Sequence, residues 1–448
     1  MTVAIWWIRR DMRLADNAAL ASAAQRGSVV PLFVVDPAFE RAGAARKQFM
    51  FATLRSLDLA ADRAIILRHA DPVTEVVAFA NEVGATSVHV TADFSPYGRA
   101  RDARVRTALA TAGIEFVEAD SPYAVNPGIV LKDDGTPLKV FTPFYKRWMN
   151  QVHVADQTAE KIQWEDVRSM CHGYPSTDAP EGSVFPVGEE ATWERWNEWS
   201  ARALDTYKAE RDNPGVDGTS RLSAALRFGV LHPRQLLRVL PASTGGDHFR
   251  SELAWREFYA DVLFHSPRTQ WENLQTKMNV LPIDSGPIAD ERFQKFCAAQ
   301  TGYPVIDAGL RQMIATGWMH NRVRMIVASF LVKDLHLPWQ WGARFFMTHL
   351  IDGDTASNNH GWQWTAGTGT DAAPYFRVFN PTSQSAKFDP TGSYIRQWIP
   401  ELAHLDNVHI HAPWTLGLLA PEHYPAPIVD HAVEREEALA RYKAVSGK

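Results

Sequence analysis

Short apolar runs alternate with helix-forming stretches over the first 120 residues. Five runs bounded by polar residues predict buried strands at residues 3–8, 28–36, 64–68, 87–92 and 114–118. Helical spacing between them predicts helices that begin at about Ala18 and that cover residues 72–83 and 99–112. Strands that alternate with helices indicate a doubly wound α/β domain, a parallel sheet covered on both faces.

This alternation ends near Pro122, and the chain becomes helical after about Ala191. Between these points, proline, glycine and acidic residues predict a long surface connection. Apolar residues at helical spacing then recur over residues 249–264, 309–315, 321–333 and 343–351. We therefore predict an α/β domain at 1–125, a linker at 126–190 and an all-α domain at 191–448.

The composition agrees with two domains in a reduced compartment. A chain of 448 residues is too long for one ordinary domain. Its 16 tryptophans indicate either a large aromatic core or surfaces that stack planar groups. Cys171 and Cys297 form no metal-binding pattern, which predicts a cytoplasmic protein without disulfides. No apolar stretch is long enough for a signal peptide core or a membrane span, so we expect a soluble protein.

The formal net charge of −5 argues at first against a polyanionic partner. Binding depends on local charge, however, rather than on the sum over the chain. Residues 151–200 hold ten acidic and three basic side chains, whereas residues 320–400 hold seven basic and five acidic ones among many aromatics. A nucleic-acid-binding surface would therefore be a local patch in the second half.

Residues 218–223 place small hydroxyl side chains before an apolar helical stretch. Thr219, Ser220 and Ser223 predict an N-cap, and the backbone N–H groups at such a terminus bind phosphates. The alternative is a helix cap without a ligand. No GxGxxG motif follows the first strand, so a nicotinamide site in the α/β domain is unsupported.

Charged side chains are concentrated in residues 318–325 and 351–354. On a helix, Asn321 and Arg324 share a face, and an inward-facing arginine needs an anionic partner. Asp352 and Asp354 are the acidic candidates. One alternative is a structural Arg–Asp bridge between helices together with an aspartate helix cap. A metal site is a further alternative, but no His or Glu lies nearby at the spacing of metal ligands.

Two further segments combine polar groups with flat rings. The amides of Asn358 and Asn359 precede two tryptophans. A heteroaromatic ring could form hydrogen bonds with the amides and stack on the tryptophan rings. Glu252 lies three residues before Trp255 on a predicted helix. The alternatives are an aromatic core with a turn, and a surface glutamate beside a core tryptophan.

Together these segments resemble the photolyase/cryptochrome family, and most of all the microbial class I photolyases that repair cyclobutane pyrimidine dimers. The resemblance covers nearly the whole chain. The matching segments are residues 8–14, 141–144, 219–223, 251–259, 301–304, 316–325, 351–364 and 368–381.

The resemblance implies FAD bound in the helical domain. The residues that hold its phosphates and flank it would be Tyr207, Thr219, Ser220, Leu222 and Ser223. Around the ring the matching residues are Arg324 and Asp352 as an ion pair, Asp354 near the sugar or ring edge, and Asn358 facing the flavin N5.

The resemblance also implies a pocket for a dimer flipped out of UV-damaged DNA. Its residues would be Glu252, Trp255, Asn321, Met325 and Trp364, with Arg211, Arg322 and Arg377 on the phosphates. Excited reduced FAD would donate an electron to the dimer, the cyclobutane ring would open, and the electron would return. Glu252 would present a proton to a dimer carbonyl oxygen.

The family usually relays electrons to the flavin through three tryptophans. Trp362 and Trp339 match the inner two. At the outer position this chain has Ile283, so either Trp341 or a tyrosine is the substitute, or photoreduction of the flavin is slow.

Family members often hold an antenna pigment as well. Residues 36–37, 46–51 and 93–104 lie where deazaflavin-binding members carry similar stretches, and ordinary loops are the alternative. Both 8-hydroxy-5-deazaflavin and methenyltetrahydrofolate remain open, and the family suggests a monomer.

A cryptochrome photoreceptor is the main alternative function, because it shares the fold and the flavin. Asn358, the complete dimer pocket and a chain end about thirty residues past Trp414 without a long signalling tail favour repair. A flavin oxidoreductase should carry a nicotinamide fingerprint, and a simple DNA-binding protein would not need a flavin cage.

Overall fold

The computed structural model describes residues 2–159, 161–175, 178–371 and 377–446. Residues 372–376 of the 368–381 motif lie outside the described residues. The chain divides into two compact units. Unit 1 comprises Met1–Glu181, Phe185–Leu204 and Ser220–Pro267; unit 2 comprises Gly182–Val184, Asp205–Thr219 and Arg268–Lys448. The domain bounds given above stay a prediction.

Within the described residues the helices are, in chain order, α1 (Ala18–Ala24), α2 (Ala44–Ala60), α3 (Pro72–Glu82), α4 (Pro96–Thr111), α5 (Phe141–Gln151), α6 (Glu189–Ala203), α7 (Tyr207–Glu210), α8 (Ser223–Phe228), α9 (Pro233–Val239), α10 (Thr244–His265), α11 (Pro287–Cys297), α12 (Pro304–Thr316), α13 (Asn321–Ser329), α14 (Trp339–His349), α15 (Thr355–Ala366), α16 (Pro381–Phe388), α17 (Ser393–Trp398) and α18 (His431–Ser446). None of them combines the length and apolarity that a membrane crossing requires.

Unit 1 contains a parallel sheet. Its strands are β1 (Val3–Trp7), β2 (Ser28–Val35), β3 (Ile66–His69), β4 (Ala85–Val90) and β5 (Glu115–Glu118), in the spatial order β3-β2-β1-β4-β5. All neighbouring strands pair in parallel, and β1 is almost wholly buried because its side chains are apolar on both faces. The predicted fold class, a doubly wound α/β region with a helical C-terminal region, is confirmed.

Two helices of unit 1 were not predicted from the pattern. Helix α2 follows β2, and α5 lies inside the segment expected to be a surface connection. Helix α5 buries Phe141, Phe144 and Trp148, which recur every three or four residues. Pro143 in its first turn hid this periodicity, although proline is tolerated there.

A buried ion cluster holds α9 in unit 1. The side chain of Asp16 is 1 % exposed and accepts hydrogen bonds from Arg234, at 2.8 Å, and from Arg238. Arg13 donates to the backbone oxygens of Asp16, at 2.8 Å, and of Gly229, at 3.0 Å. These charges are tolerated inside because each finds a partner.

Helix α10 is tied to the segment after β5 by Glu257. Its buried carboxylate accepts from the backbone N–H of Ala124 at 2.6 Å, from that of Val125 at 3.0 Å and from the indole of Trp148 at 2.6 Å. Burial raises the pKa of Glu257 to about 7, although these hydrogen bonds oppose the shift.

Unit 2 is helical, and α12 and α13 lie in its core. Gly309 permits close packing, because a Cβ there would lie 2.4 Å from Cγ1 of Val323. Helix α13 continues into a π-helical turn, Phe330–Asp334, that is fully buried. The C-terminal end of α13 is therefore anchored in the core of unit 2.

Candidate functional site

Arg324 and Asp352 form an ion pair in unit 2. The guanidinium Nη2 of Arg324 lies 2.9 and 3.2 Å from the two carboxylate oxygens, and Nε donates to the backbone oxygen of Met319 at 2.8 Å. The side chain of Asp352 is 4 % exposed, whereas that of Arg324 is 26 % exposed. Asp352 therefore orients the guanidinium of Arg324, which is the more exposed member of the pair.

Asp354 caps helix α15. Its carboxylate accepts from the backbone N–H of Ala356 at 3.1 Å and of Ser357 at 3.2 Å. This is the structural role that the sequence left as an alternative, and it fixes the first turn that precedes Asn358.

The two adjacent amides behave differently. Asn358 donates from Nδ2 to the backbone oxygen of Ala343 at 3.1 Å and to Oδ1 of Asn359 at 3.0 Å. Asn359 is buried and donates to the backbone oxygen of Gln270 at 2.9 Å. Asn359 thus finds its hydrogen-bond partners within the protein, and its side-chain oxygen accepts from Asn358.

The two tryptophans of the expected relay are buried in unit 2. Trp362 packs edge to face on Phe346 at a centroid distance of 4.9 Å and fills the space above Gly342. Trp339 begins α14 and donates its indole N–H to Oδ1 of Asn273 at 2.9 Å.

Trp341 lies on the outer side of α14. Its ring is partly buried and packs on Phe293 at 5.1 Å. It lines a cavity of about 300 Å³ with Asp290, Phe293, Arg344, Phe345 and Thr348. Trp341, the tryptophan considered for the outer position, therefore has access to the surface.

The start of α13 carries two of the expected dimer contacts. Asn321 is its first residue and is exposed, and Met325 lies one turn later on the same face. Trp364, on α15, is half-buried.

Arg322 does not stand alone, because it pairs with Asp212 at 2.8 Å. This pair could not be predicted from local pattern, since the partners are 110 positions apart. On α7 and its C-cap, Arg211 lies 5.4 Å from the ring centroid of the buried Tyr207.

Arg377 is exposed, and its backbone is held by a buried lysine. Lys333, in the π-helical turn, donates to the backbone oxygen of Arg377 at 2.8 Å. Burial lowers the pKa of Lys333 to about 8, against the opposing effect of Asp334. The sequence did not single out this support.

In unit 1, Trp255 and Glu252 lie on α10. The indole of Trp255 stacks on Phe141 of α5 at a centroid distance of 3.8 Å and an interplanar angle of 7°. Trp255 and Glu252 are both half-buried. Phe141 belongs to a segment that matches the family, but its stacking role was not predicted because it depends on a contact between two helices.

The N-cap expected from residues 218–223 is wrong. The N-cap of α8 is Leu222, without a side-chain hydrogen bond, and Ser223 is the first helical residue. Arg221 has φ 57°, and this left-handed residue lies between Thr219–Ser220 and the start of the helix at Ser223. Leu222 thus provides no side-chain cap for the first turn of α8.

Two of the three expected antenna segments meet in unit 1. The hydroxyl of Tyr97, on α4, donates to Asp36 at 2.5 Å. Burial disfavours the charge on Asp93, but Arg10, Arg101 and Arg9 outweigh it and lower its pKa to about 2. The third segment, 46–51, forms part of α2.

Two family models match the chain. The DNA photolyase model matches residues 4–163, and the model for the FAD binding domain of DNA photolyase matches residues 249–444. This supports FAD as the cofactor. Deoxyribodipyrimidine photo-lyase of Escherichia coli is 37% identical and covers 99% of both chains, and that of Streptomyces griseus is 38% identical and covers 100% of both.

Solved structures agree with these matches. A class III photolyase from Agrobacterium tumefaciens has a TM-score of 0.92 at 31% identity and covers 100% of this chain and 98% of its own. An archaeal photolyase from Sulfolobus tokodaii with two FAD molecules has a TM-score of 0.86 at 28% identity, covering 99% and 100%. A Synechocystis cryptochrome has a TM-score of 0.86 at 26% identity and covers 98% of each. The class within the family stays a prediction, but the chain itself belongs to the DNA photolyase family.

Proposed function

We propose that this protein uses light to repair cyclobutane pyrimidine dimers in UV-damaged DNA with reduced FAD. The observation that carries the proposal is helix α13. It combines Arg324, paired with Asp352, with an exposed Asn321 at its first position. One helix therefore carries both a proposed cofactor contact, Arg324, and a proposed substrate contact, Asn321. This arrangement suits a cofactor that acts directly on a bound base.

The residues present fit a flavin with phosphates. When bound, reduced FAD supplies the electron that light transfers to the dimer. The guanidinium of Arg324 would stabilise negative charge on the ring, and the buried Asp352 keeps it oriented. Asn358 uses its N–H groups within the protein, so its oxygen remains to accept from the N5–H of a reduced flavin. Tyr207, Thr219, Ser220, Leu222, Ser223 and Asp354 complete the proposed set.

Glu252 and Trp255 would receive the dimer on unit 1. The stack of Trp255 on Phe141 holds one face of the indole, which makes it a rigid apolar wall. Glu252 would present a carboxyl proton to a carbonyl oxygen that gains charge. Met325 and Trp364 would line the dimer in unit 2, and Arg211, Arg322 and Arg377 would bind phosphates.

The electron path for restoring reduced flavin would run through Trp339 and Trp362. Trp341 is the proposed outer member, because it reaches a surface cavity from the same helix as Trp339. Ile283 cannot serve at that place, since an aliphatic side chain is not oxidised.

An antenna pigment would bind at the carboxyl edge of the sheet in unit 1. Tyr97, Asp36 and the arginines around Asp93 offer a phenol and paired charges to a polar ring system. A deazaflavin fits this proposal better than a folate, because the two segments that meet are those of the deazaflavin type. Extracting pigments from purified protein and recording their spectra tests the choice.

We also propose a cytoplasmic monomer, in line with the unpaired Cys171 and Cys297. Cell fractionation tests the location, and light scattering tests the oligomeric state.

The decisive experiment follows ultraviolet absorbance of dimer-containing oligothymidylate with photoreduced protein. Repair predicts recovery of base absorbance under blue light and none in the dark. Glu252→Ala should then lower the repair yield about tenfold while DNA affinity changes less, in keeping with one lost transition-state hydrogen bond. Bound flavin that photoreduces without restoring absorbance would instead indicate the signalling role of a cryptochrome.

A further inference from the structure

Arg322 is held in a fixed position in unit 2. Its guanidinium lies 4.5 Å above the ring of Phe388, and Nη1 lies 3.6 Å from the sulfur of Met325. Nη2 lies 2.8 Å from Oδ2 of Asp212. The ring covers one face of the guanidinium and the sulfur accepts a hydrogen bond from Nη1, while Asp212 supplies the anionic partner.

Asp212 and a DNA phosphate would compete for the same group. The side chain of Arg322 is 19 % exposed and that of Asp212 is 36 % exposed, so the pair is open to solvent. A phosphate that approaches Arg322 meets both an occupied donor and a like charge. A phosphate can therefore bind Arg322 only by displacing the carboxylate of Asp212.

A second polar group, His320, lies beside Arg322. Nδ1 of the buried His320 accepts from the backbone N–H of Arg322 at 3.2 Å, which assigns the ring proton of the neutral form to Nε2. That Nε2 has no hydrogen-bond partner among the described residues. Burial lowers the pKa of His320 to about 3, Arg322 and Arg324 act in the same direction, and Asp212 opposes them.

We propose that Asp212 is a specificity residue: it occupies Arg322 in the free protein and yields it only to a phosphate held in place by a bound lesion. This inference rests on the proposed function. A flipped dimer forms additional contacts with the protein, and these compensate for the loss of the Asp212–Arg322 ion pair. Undamaged DNA forms no such contacts. Asp212 therefore weakens binding to undamaged DNA more than binding to damaged DNA.

The test compares Asp212→Asn with wild type on two duplexes of one sequence, with and without a single thymine dimer. Affinities are measured by fluorescence anisotropy between 50 and 200 mM salt. We expect the affinity for undamaged DNA to rise about fivefold, the salt slope to steepen by about one, and the affinity for damaged DNA to change less than twofold.

Asp205→Asn is the matched control, because it removes the same charge from an exposed position seven residues earlier. It should leave the lesion preference unchanged. FAD content and melting temperature should equal wild type in both variants.

Equal changes in affinity for the two duplexes, or a weaker affinity for both, would overturn the role of Asp212. The same shift in Asp205→Asn would reduce the effect to net charge and overturn it as well. A wild-type protein without any lesion preference would instead contradict the proposed function.

Discussion

Two clusters of arginine–aspartate pairs in this protein use the same residue types for different ends. In unit 1, Asp16 is 1 % exposed and also accepts from the backbone N–H of Gln157 at 3.0 Å, so its oxygens are surrounded by donors. In unit 2, Arg322 and Arg324 keep 19 % and 26 % of their side chains exposed. The closed cluster holds α9 to the segment before α1, whereas the open pairs leave cations where a ligand can reach them.

The largest effect should come from opening the closed cluster. Asp16→Ala leaves the buried Arg234 without its main partner and should lower the free energy of unfolding by about 3–5 kcal/mol. Urea unfolding followed by circular dichroism measures the change. Asp156→Ala removes the exposed partner of Arg238 and should cost less than about 1 kcal/mol. Equal losses in both variants would show that the buried Asp16 and the exposed Asp156 stabilise the fold to the same extent.

Opening a ligand-facing pair should instead affect the cofactor. Asp352→Asn frees Arg324 and should weaken FAD binding tenfold to a hundredfold, or about 1.5–3 kcal/mol, because a charge-assisted contact is lost. Titration of the apoprotein with FAD, followed by fluorescence, gives the affinity. Glu401→Gln breaks the Arg311 pair of the same unit and should leave FAD affinity unchanged.

The closed contacts should also appear in the pH dependence of stability. Glu257 has a folded pKa of about 7 against an ordinary 4.5, so the folded state retains a proton that the unfolded state releases. Its contribution therefore falls by about 2 kcal/mol as pH rises from 5 to 7. Glu257→Gln should remove this part of the slope in urea unfolding at pH 5, 6 and 7. The exposed Glu190→Gln should keep it.

Buried tryptophans extend the comparison to aromatic residues. Trp362→Phe should slow flavin photoreduction at least tenfold, about 1.4 kcal/mol in barrier, because phenylalanine is much harder to oxidise. Absorbance under blue light with a thiol reductant measures the rate. Trp196→Phe alters an equally buried ring in unit 1 and should have no effect. Trp341→Phe should slow the reaction if Trp341 is the outer member, and an unimpaired Trp362 variant would disprove the relay.

The sequence predicted most of what depends on local pattern. The strands were found from apolar runs. The cost of an unpaired buried charge pointed to Asp352 or Asp354 as the partner of an inward arginine, and the family resemblance implied the pairing of Arg324 with Asp352. Three features escaped because they depend on distant contacts or backbone angles: the Asp212–Arg322 pair, the stack of Trp255 on Phe141, and the left-handed Arg221 that displaces the expected cap. Helix α5 was missed because Pro143 interrupts its pattern.

The hydrogen bonds of Glu257 bear on how the chain folds during synthesis. Ala124 follows the last strand of the sheet, yet its acceptor is made 133 positions later. At roughly 5–20 residues per second, the ribosome needs on the order of 10 s to supply it. During that interval the nascent sheet lacks the helix that satisfies its trailing segment. A fragment that ends before α10 should therefore depend on chaperones, and truncation at the end of the sheet should give an aggregating product.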